Sequence, residues 1–218
     1  MITESSELAL QNLRSLSTFE WYVIPLLALV FFTYSTEIKK AMDNGNWNAV
    51  FAGLTIFGAD FINETWNGWV FHFTNYSAFW TAPGDSALRT MVGWNIEIMF
   101  MFAILGIVYY NFVNEDKDVK FLGVPNRWFW AIFFSAFCVF VEILLNIGGH
   151  LVWVYPWWER TFKGIWLIFI FGYLWFFVAA KIVIEMKSDK NKIITICIIY
   201  GIAIIANVIG LGIMGWVY

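Results

Sequence analysis

Long apolar runs alternate with short polar connections along this chain. Within each run the apolar residues are continuous rather than spaced in twos. Six runs are long enough to cross a bilayer core, which takes about 20 helical residues. They predict membrane helices over 19–36, 48–71, 89–113, 127–153, 164–186 and 192–217. Turn-forming residues separate them: Asp43-Asn44-Gly45-Asn46, Ala82-Pro83-Gly84-Asp85, the stretch from Asn114 to Asn126, and Tyr155-Pro156. Runs this long and unbroken exclude a closed β-barrel.

Ahead of the first run lies the polar stretch 1–18, with Leu8, Leu13 and Leu16 among polar neighbours. It predicts a short interfacial helix. It lacks the basic start and small-residue cleavage site of a signal peptide. The expected architecture is all-α: a polytopic membrane bundle of six transmembrane helices over 19–218, with no internal repeat. Composition agrees. The 218 residues are 61% hydrophobic and 13% charged, with mean hydropathy +0.68, against roughly 45–50% and 25% in soluble domains.

Basic residues set the expected orientation. With the N-terminus outside, the inner side holds Lys39, Lys40, Lys117, Lys120, Arg127, Lys181, Lys187, Lys190 and Lys192; the outer side holds Arg14, Arg89, Arg160 and Lys163. This bias favours both termini outside; the chain is expected to be integral to a membrane, plasma or inner membrane first, with an organelle membrane as the alternative. Tryptophan is heaviest at the outer ends of the runs: Trp66, Trp69, Trp80, Trp94, Trp153, Trp157, Trp158 and Trp216. Indoles favour the headgroup level. Here the surplus sits beside acidic residues, so Trp66, Trp94 and Trp153 are also candidate pocket walls.

Those acids are the chemically informative feature. Asp60, Glu64, Glu97 and Glu142 fall inside predicted spans, joined by the two histidines of the chain, His72 at the outer boundary of the second span and His150 near the outer end of the fourth. A carboxylate in hydrocarbon costs at least a few kcal/mol, roughly 2.5–3.5 on insertion scales. No Lys or Arg falls at matching depth, so protons, a cation or a hydrogen-bond network must compensate. Asp60 and Glu64 share a helix face, continued by Asn67. Asn95 and Glu97 lie on the third run, while Glu142, Asn146 and His150 are spaced by four on the fourth. Three consecutive helices can therefore present these groups to one space in the outer half.

The reading favoured by these residues is a metal-dependent membrane enzyme acting on a lipid or other apolar substrate. Carboxylates and imidazoles suit iron, zinc or manganese. Glu64, Glu97, Glu142, His150 and His72 are the candidate ligands. Glu97, Glu142 and Asp60 are the candidate acid–base groups, and Asn67, Asn95 and Asn146 join the tryptophans as candidate substrate contacts. The spacing departs from the helical di-metal carboxylate pattern, because no Glu-x-x-His pair is present, and leaves a mononuclear site open.

Alternatives are a metal-free acid–base enzyme of the sterol- or isoprenoid-isomerase type, an accessory subunit of a membrane complex, and a proton or cation transporter. A b-type haem held by His72 and His150 would explain the histidines but not the acids. Cys138 and Cys197 read as apolar packing residues. Nucleic acid is not an expected partner, since no basic patch is present.

Overall fold

A computed structural model describes residues 1–113, 116 and 118–218. Asn114, Glu115 and Lys117 lie outside the described residues, so part of the loop from Asn114 to Asn126 and the inner-side placement of Lys117 are untested. Besides a 3-10 turn at Leu16–Thr18, the described residues form seven helices: α1 (Glu4–Leu10), α2 (Val23–Asn44), α3 (Asn48–Thr74), α4 (Ile96–Phe112), α5 (Asn126–Ile147), α6 (Phe162–Glu185) and α7 (Asp189–Ile213). Among them α5, α6 and α7 are long and apolar enough to cross a membrane. The architecture is all-α apart from two very short hairpins.

The six long helices run back and forth between two ends. At one end the chain near Thr3 bonds Tyr76, Arg14 bonds the Arg89 carbonyl, and Thr81 pairs with Val152. Tyr218 also returns to this end, where its oxygen accepts from Arg14 at 2.7 Å. The opposite end gathers Asn46 with Tyr110, Arg127 with Glu185 at 3.1 Å, and Lys192 with Asn48 at 2.7 Å. Glu185 also pairs with Lys181 at 2.9 Å, as their spacing of four suggests.

Helix α3 is the centre of the bundle. Its buried positions lie on every side, as expected for a helix surrounded by others. Small residues allow the close approach. A Cβ on Gly106 of α4 would stand 2.2 Å from the Ala52 carbonyl oxygen of α3, so the two backbones touch there.

Two predicted spans lose six or seven residues at the first end (153 to 147 and 89 to 96). The run 89–113 is not helical throughout: β1 (Arg89–Met91) pairs with β2 (Trp94–Asn95), and the helix begins only at Ile96. Asn95 sets that start, its side chain accepting from the Ile98 amide at 2.9 Å, as an N-cap does. The run 127–153 stops at Ile147. Gly149 takes the left-handed conformation at φ 74. The His150 amide then bonds Leu145 at 2.9 Å and the Gly149 amide bonds Asn146 at 3.2 Å. This Schellman arrangement ends the helix before His150. A second hairpin, β3 (Lys120–Phe121) with β4 (Val124–Pro125), leads into α5 at the opposite end.

The segment 75–95 does not loop over the surface. Ala78, Trp80, Thr81, Ala82, Ala87, Met91, Val92 and Trp94 are all buried. It folds into the bundle as a plug. Arg89 anchors it from beneath: its guanidinium donates to the carbonyls of Leu8, Ala9, Gln11, Ala82 and Gly84. Three of these carbonyls end α1, where a cation also complements the helix dipole.

Hydrogen bonds from a charged donor are worth about 1.5–3 kcal/mol each when buried. Arg89→Met is therefore expected to destabilise the protein by about 2–4 kcal/mol and to raise amide exchange in α1 and in 82–89. Unchanged exchange there would refute the anchoring role.

Candidate functional site

Three carboxyls reach one cavity of about 100 Å³: Asp60 and Glu64 from α3, and Glu142 from α5. Each is 5% exposed or less. Glu64 and Glu142 both lie within electrostatic reach of Asp60. Among the described residues no Lys or Arg lines the cavity. Its other walls come from Trp80 and Gly93 of the plug, from α4, from Cys138 on α5, and from Gly172 and Tyr173 on α6.

Indole N–H groups compensate two of the acids. Trp94 Nε1 donates to Asp60 Oδ2 at 2.8 Å, and Trp80 Nε1 donates to Glu64 Oε1 at 2.7 Å. Both indoles belong to the plug, so the acids and the plug position each other. Trp94 also stacks on Phe61 at 5.2 Å. Asn67 fixes the plug to α3. Its side chain accepts from the Phe79 amide and donates to the Trp80 carbonyl, both at 2.9 Å. Trp66 donates to Asn63 at 2.6 Å and meets Trp80 edge-on.

Helix α6 widens to a π-turn over Ile168–Leu174. Such turns are frequent at functional sites. Here the π-turn contains Gly172, whose carbonyl accepts from Asn63 at 3.3 Å, and Tyr173, which faces Glu142. Trp153 faces Glu142 as well. Even so, Glu142 Oε2, Glu64 Oε2 and Trp153 Nε1 have no hydrogen bond of normal geometry among the described residues.

The cavity opens sideways. Met101 on α4 and Phe137 on α5 both line it, yet they are 55% and 49% exposed. Its mouth therefore lies between α4 and α5 on the apolar flank, not at either end of the bundle.

The remaining predicted site residues stand elsewhere. Glu97 lies in the first turn of α4 and does not line the cavity. It accepts from Tyr22, from Ser86 at 2.8 Å and from the Ala87 amide at 3.0 Å. It thus ties the plug to the start of α2. His72 stacks on Trp216 at 4.4 Å. His150 is exposed and lies over Gly84. Its expected place on a stripe with Glu142 fails because Gly149 turns the chain first. Asn146 donates to the Leu151 carbonyl at 2.9 Å, and Asn95 is occupied as the cap of α4.

Among the described residues, no three His, Cys, Asp or Glu side chains are arranged to hold a metal ion. The acids share a space without closing on one point, and neither imidazole joins them.

Four wall residues carried little signal in the sequence. Trp80 and Trp158 read as interface tryptophans, and Cys138 as packing. Tyr173 is a lone hydroxyl in an apolar run, the one cue that could have singled it out.

Residues 3–212 match the sequence model of an uncharacterized membrane protein family, and the chain belongs to that family. An uncharacterized protein of Archaeoglobus fulgidus is 44% identical to it over 217 residues, covering all of both chains. No solved structure matches.

Gly93 is the tightest point of the site. A Cβ there would stand 2.6 Å from Asn67 Nδ2 and 2.7 Å from both Glu64 Oε2 and Trp80 Cδ1. Gly93→Ala is expected to destabilise the fold by about 1–3 kcal/mol through overpacking. It should also change the fluorescence of the Trp80 environment. A variant with wild-type melting and spectrum would contradict this packing.

Proposed function

We propose that this protein is an intramembrane acid–base enzyme acting on an apolar substrate that enters sideways from the lipid. The observation that carries the reading is the convergence of Asp60, Glu64 and Glu142 on one apolar-walled cavity whose mouth opens between α4 and α5. Neither histidine lines that cavity, which favours proton chemistry over the metal-dependent reading.

Three facing carboxyls without a cationic partner cannot all be charged, because like charges disfavour one another. They share protons, and neighbouring groups that differ in protonation can act as acid and base. In the proposed reaction one carboxyl gives a proton to one carbon of a double bond. Positive charge then develops on the other carbon of that bond, and a second carboxylate removes a proton from the next carbon beyond it, so the double bond shifts. Atoms and electrons balance, and no oxidant or reductant is needed. The faces of Trp80 and Trp158 would stabilise positive charge developing between these steps.

All six long helices are taken to span the membrane, with both termini outside. Helix α4 is the shortest, with 17 residues, and still reaches roughly 25 Å at 1.5 Å per residue. The gathering of the N-terminal segment, the plug and Tyr218 at one end supports an even number of crossings. Lys39, Lys40, Lys187, Lys190 and Lys192 lie toward the other end, consistent with that end facing the cytoplasm.

Proton transfer to carbon leaves an isotopic record. Proteoliposomes made with lipids of the source membrane are expected to take up deuterium from D2O into one apolar lipid, seen by mass spectrometry. Glu64→Gln and Glu142→Gln should each slow this at least about a hundredfold, the usual scale of acid–base assistance. Equal uptake in wild type and both variants would sink the assignment.

A further inference from the structure

Three buried polar atoms of the cavity walls make no hydrogen bond of normal geometry among the described residues: Glu64 Oε2, beside Asn67, Glu142 Oε2, faced by Tyr173 and Trp153, and Trp158 Nε1. Trp158 is 3% exposed and its ring stacks on Trp80 at 5.8 Å. All three residues line the same cavity. A buried polar group left alone costs about 1–3 kcal/mol, so native structures rarely keep several together. Three in one space mark where a ligand's polar group belongs.

Donor and acceptor accounting narrows that group. The carboxyl oxygens can accept, whereas the indole N–H can only donate. An ammonium would serve the carboxyls but leave the indole N–H pointing at a cation. A carboxylate or phosphate would serve the indole but meet three acids and no basic residue. A hydrocarbon would serve none of them. A hydroxyl both donates and accepts, so one group can satisfy a carboxyl oxygen and the indole together. The rest of the lining is apolar and leads to the mouth past Phe102, Leu105, Val141, Met101 and Phe137.

We infer that the cavity recognises a membrane-dissolved alcohol. Its hydroxyl sits among Glu64, Glu142 and Trp158, and its apolar body lies toward the gap between α4 and α5. This rests on the sideways-access reading above and adds the functional group that is recognised. Cys138 and Tyr173 on the same walls bound the space available next to the hydroxyl.

The test is competition in phosphatidylcholine nanodiscs. A pyrene-labelled long-chain alcohol reports occupancy by energy transfer from tryptophan. Dodecanol, dodecyl methyl ether and dodecylamine compete at matched membrane mole fraction. Dodecanol is expected to displace the reporter at about tenfold lower mole fraction than the ether, the worth of one buried hydrogen bond. Glu142→Leu, which removes the acceptor of the hydroxyl proton, should erase most of that advantage, whereas Trp158→Phe, which removes a donor that both oxygens accept from, should weaken displacement by alcohol and ether alike. Melting curves establish that both variants fold.

Equal displacement by alcohol and ether would overturn the hydroxyl assignment while leaving an apolar site in place. Stronger displacement by the amine would overturn it in favour of a cation site. If the reporter binds and no competitor displaces it, or if it does not bind at all, the sideways-access reading fails and the alcohol assignment fails with it.

Discussion

Burying three carboxyl groups inside one helical bundle obliges the rest of the structure to supply hydrogen-bond donors, because no basic side chain reaches them among the described residues. Two of those donors are indoles, Trp80 to Glu64 and Trp94 to Asp60, and both ride on the inserted segment 75–95. That segment explains much of this end of the bundle. Asn67 holds it from within, Glu97 ties it to α2, and Arg89 locks it to the end of α1. Free backbone inside a membrane is tolerated only where protein buries it, and here the stretches 80–82 and 91–94 of the plug are buried.

The arrangement divides the polar residues into two kinds. Glu97, Asn67, Asn95, Asn146 and Arg89 spend their hydrogen bonds on the chain itself and fix its path. Glu64 and Glu142 line the cavity, and one oxygen of each makes no hydrogen bond of normal geometry among the described residues. On the proposed reading the first kind keeps the cavity in shape, and the second meets the substrate. A mouth between α4 and α5 suits a molecule that resides in the bilayer, since it avoids crossing the polar ends of the bundle.

The helical bundle was legible in the sequence because continuous apolar runs have one physical solution in lipid. The pairing of Asp60 with Glu64 was legible from spacing alone, and so was the Lys181–Glu185 pair. The two shortened helices were not. Trp94-Asn95 and Gly148-Gly149 sit inside apolar runs, where hydropathy cannot distinguish a hairpin or a Schellman turn from continuing helix. That error carried His150 and Glu97 onto faces they do not occupy. It also hid the plug, because Trp80 and Trp158 look the same in a sequence whether they lie in a headgroup belt or line a cavity. Tyr173 reaches Glu142 from a π-turn, a local register change that a 3.6-residue pattern does not encode.

The central claim is that acids deep in the bundle are reachable from the lipid. The most direct measurement is labelling of the membrane-embedded protein with an apolar carbodiimide, mapped by peptide mass spectrometry beside a water-soluble carbodiimide. The account predicts that the apolar reagent modifies Glu64 or Glu142, that the soluble one does not, and that narrowing the mouth with Met101→Trp slows the reaction. Modification confined to exposed acids such as Glu4 and Glu20, with Glu64 and Glu142 untouched by either reagent, would contradict it.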